Sequence, residues 1–192
     1  DVDFLILTYE GFMSQAERLK ELHGRLDPEL NVFITTPELI YNEFSCGAKD
    51  VSAIRDFCRM LYLDSNAGHK LKYMLLLGDC SYDYKNRNGV VDFVPAFETV
   101  QSLDMKKTYV TDDYFGLMDE NEGDIGHSLA DIGIGRFPVQ TLEQASQMVD
   151  KIERYVVKDA TTMQPWRNMV TFFTDDEGGF VRNAETLSRL MK

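Results

Sequence analysis

The chain has 192 residues, of which 44% are hydrophobic, 11% aromatic and 27% charged. That is enough for one sizeable core, or one core and the start of a second, and it excludes disorder over most of the length. The formal net charge of -12 excludes nucleic acid as a natural partner, because phosphate binding needs a basic footprint; it fits a soluble surface, a cation-binding protein or one that handles basic substrates.

In chain order, Asp3–Thr8 (DFLILT) is a short apolar run with a polar end and reads as a buried strand. Phe12, Ala16, Leu19, Leu22 and Leu26 recur at helical spacing and predict an amphipathic helix. Asn31–Thr36 is a second strand, after which Thr36 as N-cap and Pro37 as first helical residue open a short helix. Asp50 caps another helix that carries Ile54, Phe57, Cys58 and Leu61 on one face. Leu71–Gly78 (LKYMLLLG) is the strongest buried strand. The β-α-β-α-β rhythm predicts an α/β fold with a mostly parallel sheet flanked by helices.

Asp79 to Lys107 is a long polar loop of the kind that is functional or flexible. Tyr109–Met118 and Asp131–Phe137 read as two more strands, joined by the acidic segment Asp119–Ser128. Thr141 and Gln144 form a capping box for a helix that runs to about Val157. A strand over Asn168–Thr174, a turn over Asp175–Gly179 and a helix over Arg182–Lys192 follow. The expected organisation is a complete small α/β unit over residues 1–158, a linker over 159–167 and the first β-α step of another unit over 168–192. The chain starts at Asp1 without a methionine and stops inside a predicted helix, so both ends read as cuts. No run approaches the roughly 18 apolar residues of a membrane helix, and no signal peptide is present.

Ligands of open α/β sheets bind at the carboxyl ends of the strands. Those ends carry Thr8-Tyr9, Thr35-Thr36, Gly78-Asp79, Thr111-Asp112-Asp113 and Thr174-Asp175-Asp176-Glu177. Asp79 is either an acid or metal ligand at a cleft, with Asp83 in the same loop, or an acceptor within its own turn. Asp112 and Asp113 lie between β-prone residues and need a cation, an arginine or an exposed edge; Arg136 is the candidate partner. Asp119, Glu120, Asn121, Glu122 and Asp124 crowd together, but without the spacing of an EF-hand, and read as a solvated acidic turn. A magnesium-dependent phosphotransfer site on Asp79 and Asp112 lacks the partner lysine that such a site uses at a later strand end.

The three cysteines have no CxxC spacing and indicate neither a disulfide scaffold nor a zinc site. Cys58 falls on an apolar helix face, Cys46 lies in a loop, and Cys80 stands beside Asp79, whose carboxylate raises a thiol pKa. His23 lies near a helix C-terminus, where the dipole favours the charged ring, and His69 and His127 lie in polar loops. The residues alone supply carboxylates and no thiol–imidazole pair.

The segments FLILT, IYNEFSCG, AIRDF, LKYMLLLGDCSYDY, YVTDDYFG, DIGIGRFP and VDKIERY, in this order and at these intervals, resemble the gingipain-type cysteine peptidase domain. The LLLGD-SYDY, TDDYFG and IGRFPV elements look most like the PorU-type sortase branch of the type IX secretion system. The resemblance covers Asp3 to about Gly179. It implies a caspase-like fold of two side-by-side subdomains, with residues 1–158 as the non-catalytic one.

In this family a histidine in a His-Gly context and a later strand-terminal cysteine form the catalytic dyad. Neither motif is found here: His23-Gly24 sits on the first helix. An acid before a Gly pair orients the histidine. Glu177, before Gly178-Gly179, matches that position, with Asp175 and Asp176 as competitors. The family also binds calcium, for which Asp79, Asp83, Asp112 and Asp113 are the candidates. The implied activity of the whole protein is removal of C-terminal signal domains from secreted cargo at the cell surface, and the isolated chain is expected to be inactive. The alternative is a non-catalytic binding or scaffold module that meets cargo or secretion partners through the loop at 79–108.

Overall fold

A computed structural model describes residues 1–63, 70–101, 103–123, 128–176 and 179–191. The chain divides into two compact units, Asp1–Glu153 and Arg154–Lys192.

The first unit is built on four parallel strands: β1 (Phe4–Thr8), β2 (Val32–Thr35), β3 (Tyr73–Leu77) and a last strand, Gly133–Phe137, numbered β6 below. Their order is β2-β1-β3-β6. Leu5 pairs with Phe33 on one side and Met74 on the other, and Leu75 pairs with Gly135. Helix α1 (Met13–Leu26) covers one face together with α4 (Leu142–Val156); α2 (Pro37–Phe44) and α3 (Val51–Leu63) cover the other.

This layering explains the continuous apolar runs of β1 and β3, since strands covered on both faces need no polar alternation. Leu5, Leu7, Met74 and Leu76 pack with Ile40, Ile54 and Cys58 beneath α2 and α3. Phe4, Ile6, Leu75 and Leu77 pack with Phe12, Ala16 and Leu19 of the α1 segment and with Ala145 and Val149 of α4. At the amino end of the sheet the buried Asp3 takes a hydrogen bond from the Asn31 N–H at 3.1 Å and an ion pair from Lys72 at 2.9 Å.

Local signals act much as the sequence predicts. The Ser52 N–H donates to Asp50 Oδ1 at 2.8 Å at the head of α3. Thr36 precedes α2 in extended conformation, yet its hydroxyl makes no cap bond; Pro37 supplies the helix start. Thr141 Oγ1 accepts from the Gln144 N–H at 3.2 Å, while Gln144 Oε1 reaches back to the Gln140 N–H at 2.8 Å, one residue earlier than a capping box requires.

Two predicted strands differ. Over Tyr109–Met118 only Val110–Thr111 is a strand, β5, paired antiparallel with β4 (Phe97–Glu98); a 3-10 turn follows over Asp113–Gly116. Tyr114, Phe115, Leu117 and Met118 are all buried, and nearly consecutive buried side chains suit a tight turn tucked under a helix better than an alternating strand. The second difference is Asn168–Thr174. A 3-10 turn covers Pro165–Asn168, and among the described residues nothing pairs with the extended stretch beyond it.

The second unit holds that turn and α5 (Phe180–Leu190). Arg167 lies 4.0 Å over the Tyr155 ring, and Phe172, Phe173, Phe180 and Leu187 border an open apolar groove of about 400 Å3.

Candidate functional site

β1 sends the chain through α1 to β2 on one side, and the return through α2 and α3 places β3 on the other. The crevice beyond the carboxyl ends of β1 and β3 is therefore the switch point at which such sheets hold ligands. Tyr9, Gly78, Asp79 and Cys80 border it.

The crevice is closed by the chain itself. Gly78 sits at φ +149°, a conformation that side chains disfavour, and a Cβ there would lie 3.0 Å from both Phe93 Cβ and Val94 Cγ2. Glycine thus lets the segment that follows β3 fold back over the strand ends. The Phe93 ring packs 5.1 Å from Tyr9 and 5.4 Å from Phe12. The N–H groups of Phe93 and Val94 donate to the Asp79 carbonyl at 3.1 and 3.2 Å.

Arg136 locks this closure. Its Nε and Nη2 grip Asp112 at 2.8 and 2.7 Å, Nη1 donates to the carbonyls of Gly78 and Val94 at 2.8 and 2.7 Å, and Nη2 also reaches the Pro95 carbonyl at 3.0 Å. Those bonds use all five guanidinium donors. A second tie comes from Lys49, which pairs with the near-buried Asp92 carboxylate at 2.6 Å and donates to the Tyr84 carbonyl at 3.2 Å, while the Tyr84 hydroxyl returns a bond to the Lys49 carbonyl. Burial first, then Tyr84 and Asp92, push the Tyr41 phenol well above its ordinary pKa. Three of the motif segments that carry the family resemblance, around Asp79, Asp112 and Arg136, meet at one point and hold one another.

Three of the four predicted metal ligands, Asp79, Asp83 and Asp112, take hydrogen bonds or an ion pair within this framework. Asp112 is held by Arg136. Asp79 accepts from the Cys80 N–H at 3.0 Å and from Gln140 Nε2 at 2.7 Å. Asp83 is buried and accepts the Asn88 N–H, and Asp113 is exposed at the head of its 3-10 turn. Among the described residues no group of three or more His, Cys, Asp or Glu side chains gathers as a metal site. Gln140 as the partner of Asp79 went unpredicted, although the β3–β6 register already sets residue 79 beside residues 139 and 140.

Of the acids near the Gly pair, Glu177 lies outside the described residues. Asp176 is exposed, and Asp175 borders the apolar groove beside α5. His69, His127 and Asp124 also lie outside them. His23 stands at the amino end of the sheet, edge-on to Phe4 at 5.0 Å, beside an apolar groove of about 440 Å3 that Tyr73 and Leu75 also line. Burial lowers its pKa, so desolvation outweighs the helix-end effect that the sequence suggests.

Cys80, at the opposite end, has its pKa raised chiefly by burial; Arg136 pulls it down, and Asp112 and Asp79 push it up. Burial drives the Cys58 thiol up to about 12, while Cys46 is exposed. Among the described residues no cysteine faces an imidazole: Cys58 lies on the inner side of α3 and Cys46 follows α2, both on the sheet face away from α1 and His23.

The model of peptidase family C25 matches residues 1–192. Among solved structures, dimeric latent PorU from Porphyromonas gingivalis is similar at a TM-score of 0.68 and 30% identity, over 96% of this chain and 18% of that one. The complex of RgpB pro- and mature domains from the same organism is similar in fold, with a TM-score of 0.56 and 18% identity, over 80% of this chain and 29% of that one. The chain thus spans less than a third of either solved relative. No curated protein sequence matches it significantly.

Proposed function

Because the chain belongs to peptidase family C25, we propose that residues 1–158 serve as the non-catalytic subdomain of a cysteine endopeptidase of the PorU sortase kind, and that residues 168–192 begin its catalytic subdomain. The whole protein would act on polypeptides. In the sortase role it removes C-terminal signal domains from cargo of the type IX system, at the cell surface or the outer membrane, alongside other secretion components. Its thiolate attacks the peptide carbonyl, its histidine moves the proton, and an acid among Asp175, Asp176 and Glu177 orients that histidine. Among the described residues no helix is long and apolar enough to cross a membrane.

One observation carries the reading of the first unit as a buttress. The crevice where an α/β sheet would hold a ligand is filled by Phe93, and Arg136, beneath it, has no donor left for a substrate. The test is turnover of fluorogenic peptides by the purified 192-residue chain. We expect none, and measurable hydrolysis abolished by a thiol reagent would overturn the assignment.

A second reading is favoured by the ordered loop beyond β3, which is tied down by Arg136 and Lys49 rather than left loose: the unit also presents a binding surface to cargo or a secretion partner. Deleting part of that loop in the full-length protein separates the two, because a pure buttress loses no cargo binding while the dyad stays intact.

A further inference from the structure

Between β3 and β4 the chain makes a compact loop that closes on itself at Ser81 and Asp92. The Ser81 N–H donates to Asp92 Oδ1 at 2.8 Å, and Lys49 pairs with the same carboxylate at 2.6 Å. Asp83, buried inside the loop, accepts the N–H of Asn88. Around that anchor the crown of the loop, residues 85–91, lies exposed.

The crown holds Asn88-Gly89, the single Asn-Gly step in the sequence. Gly89 has φ +73° and open space around its Cβ position. Among the described residues neither the Asn88 side-chain amide nor the Gly89 N–H makes a hydrogen bond. Residue 89 also has no side chain to shield its own nitrogen. Other asparagines are protected: Asn31 Nδ2 donates to Asp3 at 3.3 Å, Asn42 lies inside α2, and Asn86 is followed by the bulky Arg87.

We propose that Asn88-Gly89 is a site of spontaneous covalent modification, at which the Gly89 backbone nitrogen attacks the Asn88 side-chain amide. The nitrogen gives its proton to a solvent base and bonds to Asn88 Cγ. The Cγ–Nδ2 bond breaks, and the leaving nitrogen takes a proton from water and departs as ammonia. Both reacting groups belong to adjacent residues, so the step is intramolecular. Water then opens the cyclic imide at either carbonyl. One opening leaves an aspartate; the other routes the main chain through the former side chain and lengthens it by a methylene. No electrons are exchanged with a co-reactant. Either product adds a carboxylate at the residue whose N–H serves the buried Asp83, and the second also lengthens a loop whose neck is fixed. The modification thus loosens the tie between Asp92 and Lys49 that fastens the fold-back over the strand ends. The chemistry needs no catalytic dyad, so its failure leaves the peptidase reading untouched.

The 192-residue chain is incubated at mildly alkaline pH beside a synthetic peptide of residues 83–92, and both are followed by peptide mapping with mass spectrometry. Conversion of amide to acid should be found at Asn88, as two chromatographically distinct products, at a rate within about 10-fold of the free peptide's. Asn86, exposed in the same loop, should stay intact. Gly89→Ala should slow the conversion at least about 10-fold, since crowding displaces the attacking nitrogen. Asn88→Gln should abolish it. The converted fraction should unfold at lower urea than the unconverted chain. Asn88 that persists in the folded chain while the peptide converts overturns the site, as does conversion indifferent to Gly89→Ala. Equal urea midpoints for the two fractions overturn the loosening.

Discussion

Arg136 illustrates how one side chain can decide the fate of a site. A guanidinium at a strand end, beside two acids and a thiol, resembles catalytic equipment, yet the geometry spends it on structure. It is largely buried against Asp112 and three carbonyls, so truncation strands a carboxylate and three acceptors away from full solvation. Arg136→Met should cost about 3 kcal/mol or more in urea unfolding. Arg136→Lys should recover only part of that, since an ammonium cannot reproduce the planar fork. A double-mutant cycle with Asp112→Asn checks the pairing: additive losses would mean that the two side chains act independently. The partnership was legible in the sequence as an acid pair in need of a cation. The three carbonyls were not, because backbone acceptors brought in by a returning loop leave no residue-type signal.

The elements were legible where one physical period dominated. The apolar runs of β1 and β3, the helical spacing of α1 and α3 and the capping signal of α4 give the strands and helices of the sheet and its layers directly. Tyr109–Met118 was not, because aromatic and β-branched composition favours a strand while consecutive burial demands a turn, and burial is a tertiary property. The fold-back after β3 belongs to the same class: Leu71–Gly78 reads as a strand end, and only the space around Gly78 shows what the glycine permits. Gly78→Ala should destabilise by about 2 kcal/mol, from backbone strain together with the contacts to Phe93 and Val94. Gly89 also has positive φ, at +73°, but nothing lies within 4 Å of its Cβ position, so Gly89→Ala should cost only about 1 kcal/mol. Equal losses in thermal or urea unfolding would show that strain alone sets the cost and that the close approach does not matter.

At the scale of the whole first unit, His23 couples folding to pH. Its folded pKa lies below the ordinary 6.5, so the unfolded chain takes up the proton first. The contribution is complete above pH 6.5 and is lost as the pH falls through the folded value. Urea midpoints should therefore drop between pH 7.5 and 5.5, and His23→Leu should flatten that part of the profile; an unchanged slope in the variant would assign the effect to other groups. The sheet has a consequence of another kind. Its first three strands are complete by residue 77, and β6 joins only after residues 78–132 have made their excursion. The near part of that excursion is clamped by Arg136 and Lys49, while the hairpin stands beyond the clamp on a two-strand stem. Closure entropy grows only with the logarithm of loop length, by about 0.6 kcal/mol per doubling. The β4–β5 hairpin is thus a place where residues can be inserted, deleted or exchanged while the sheet stays the same.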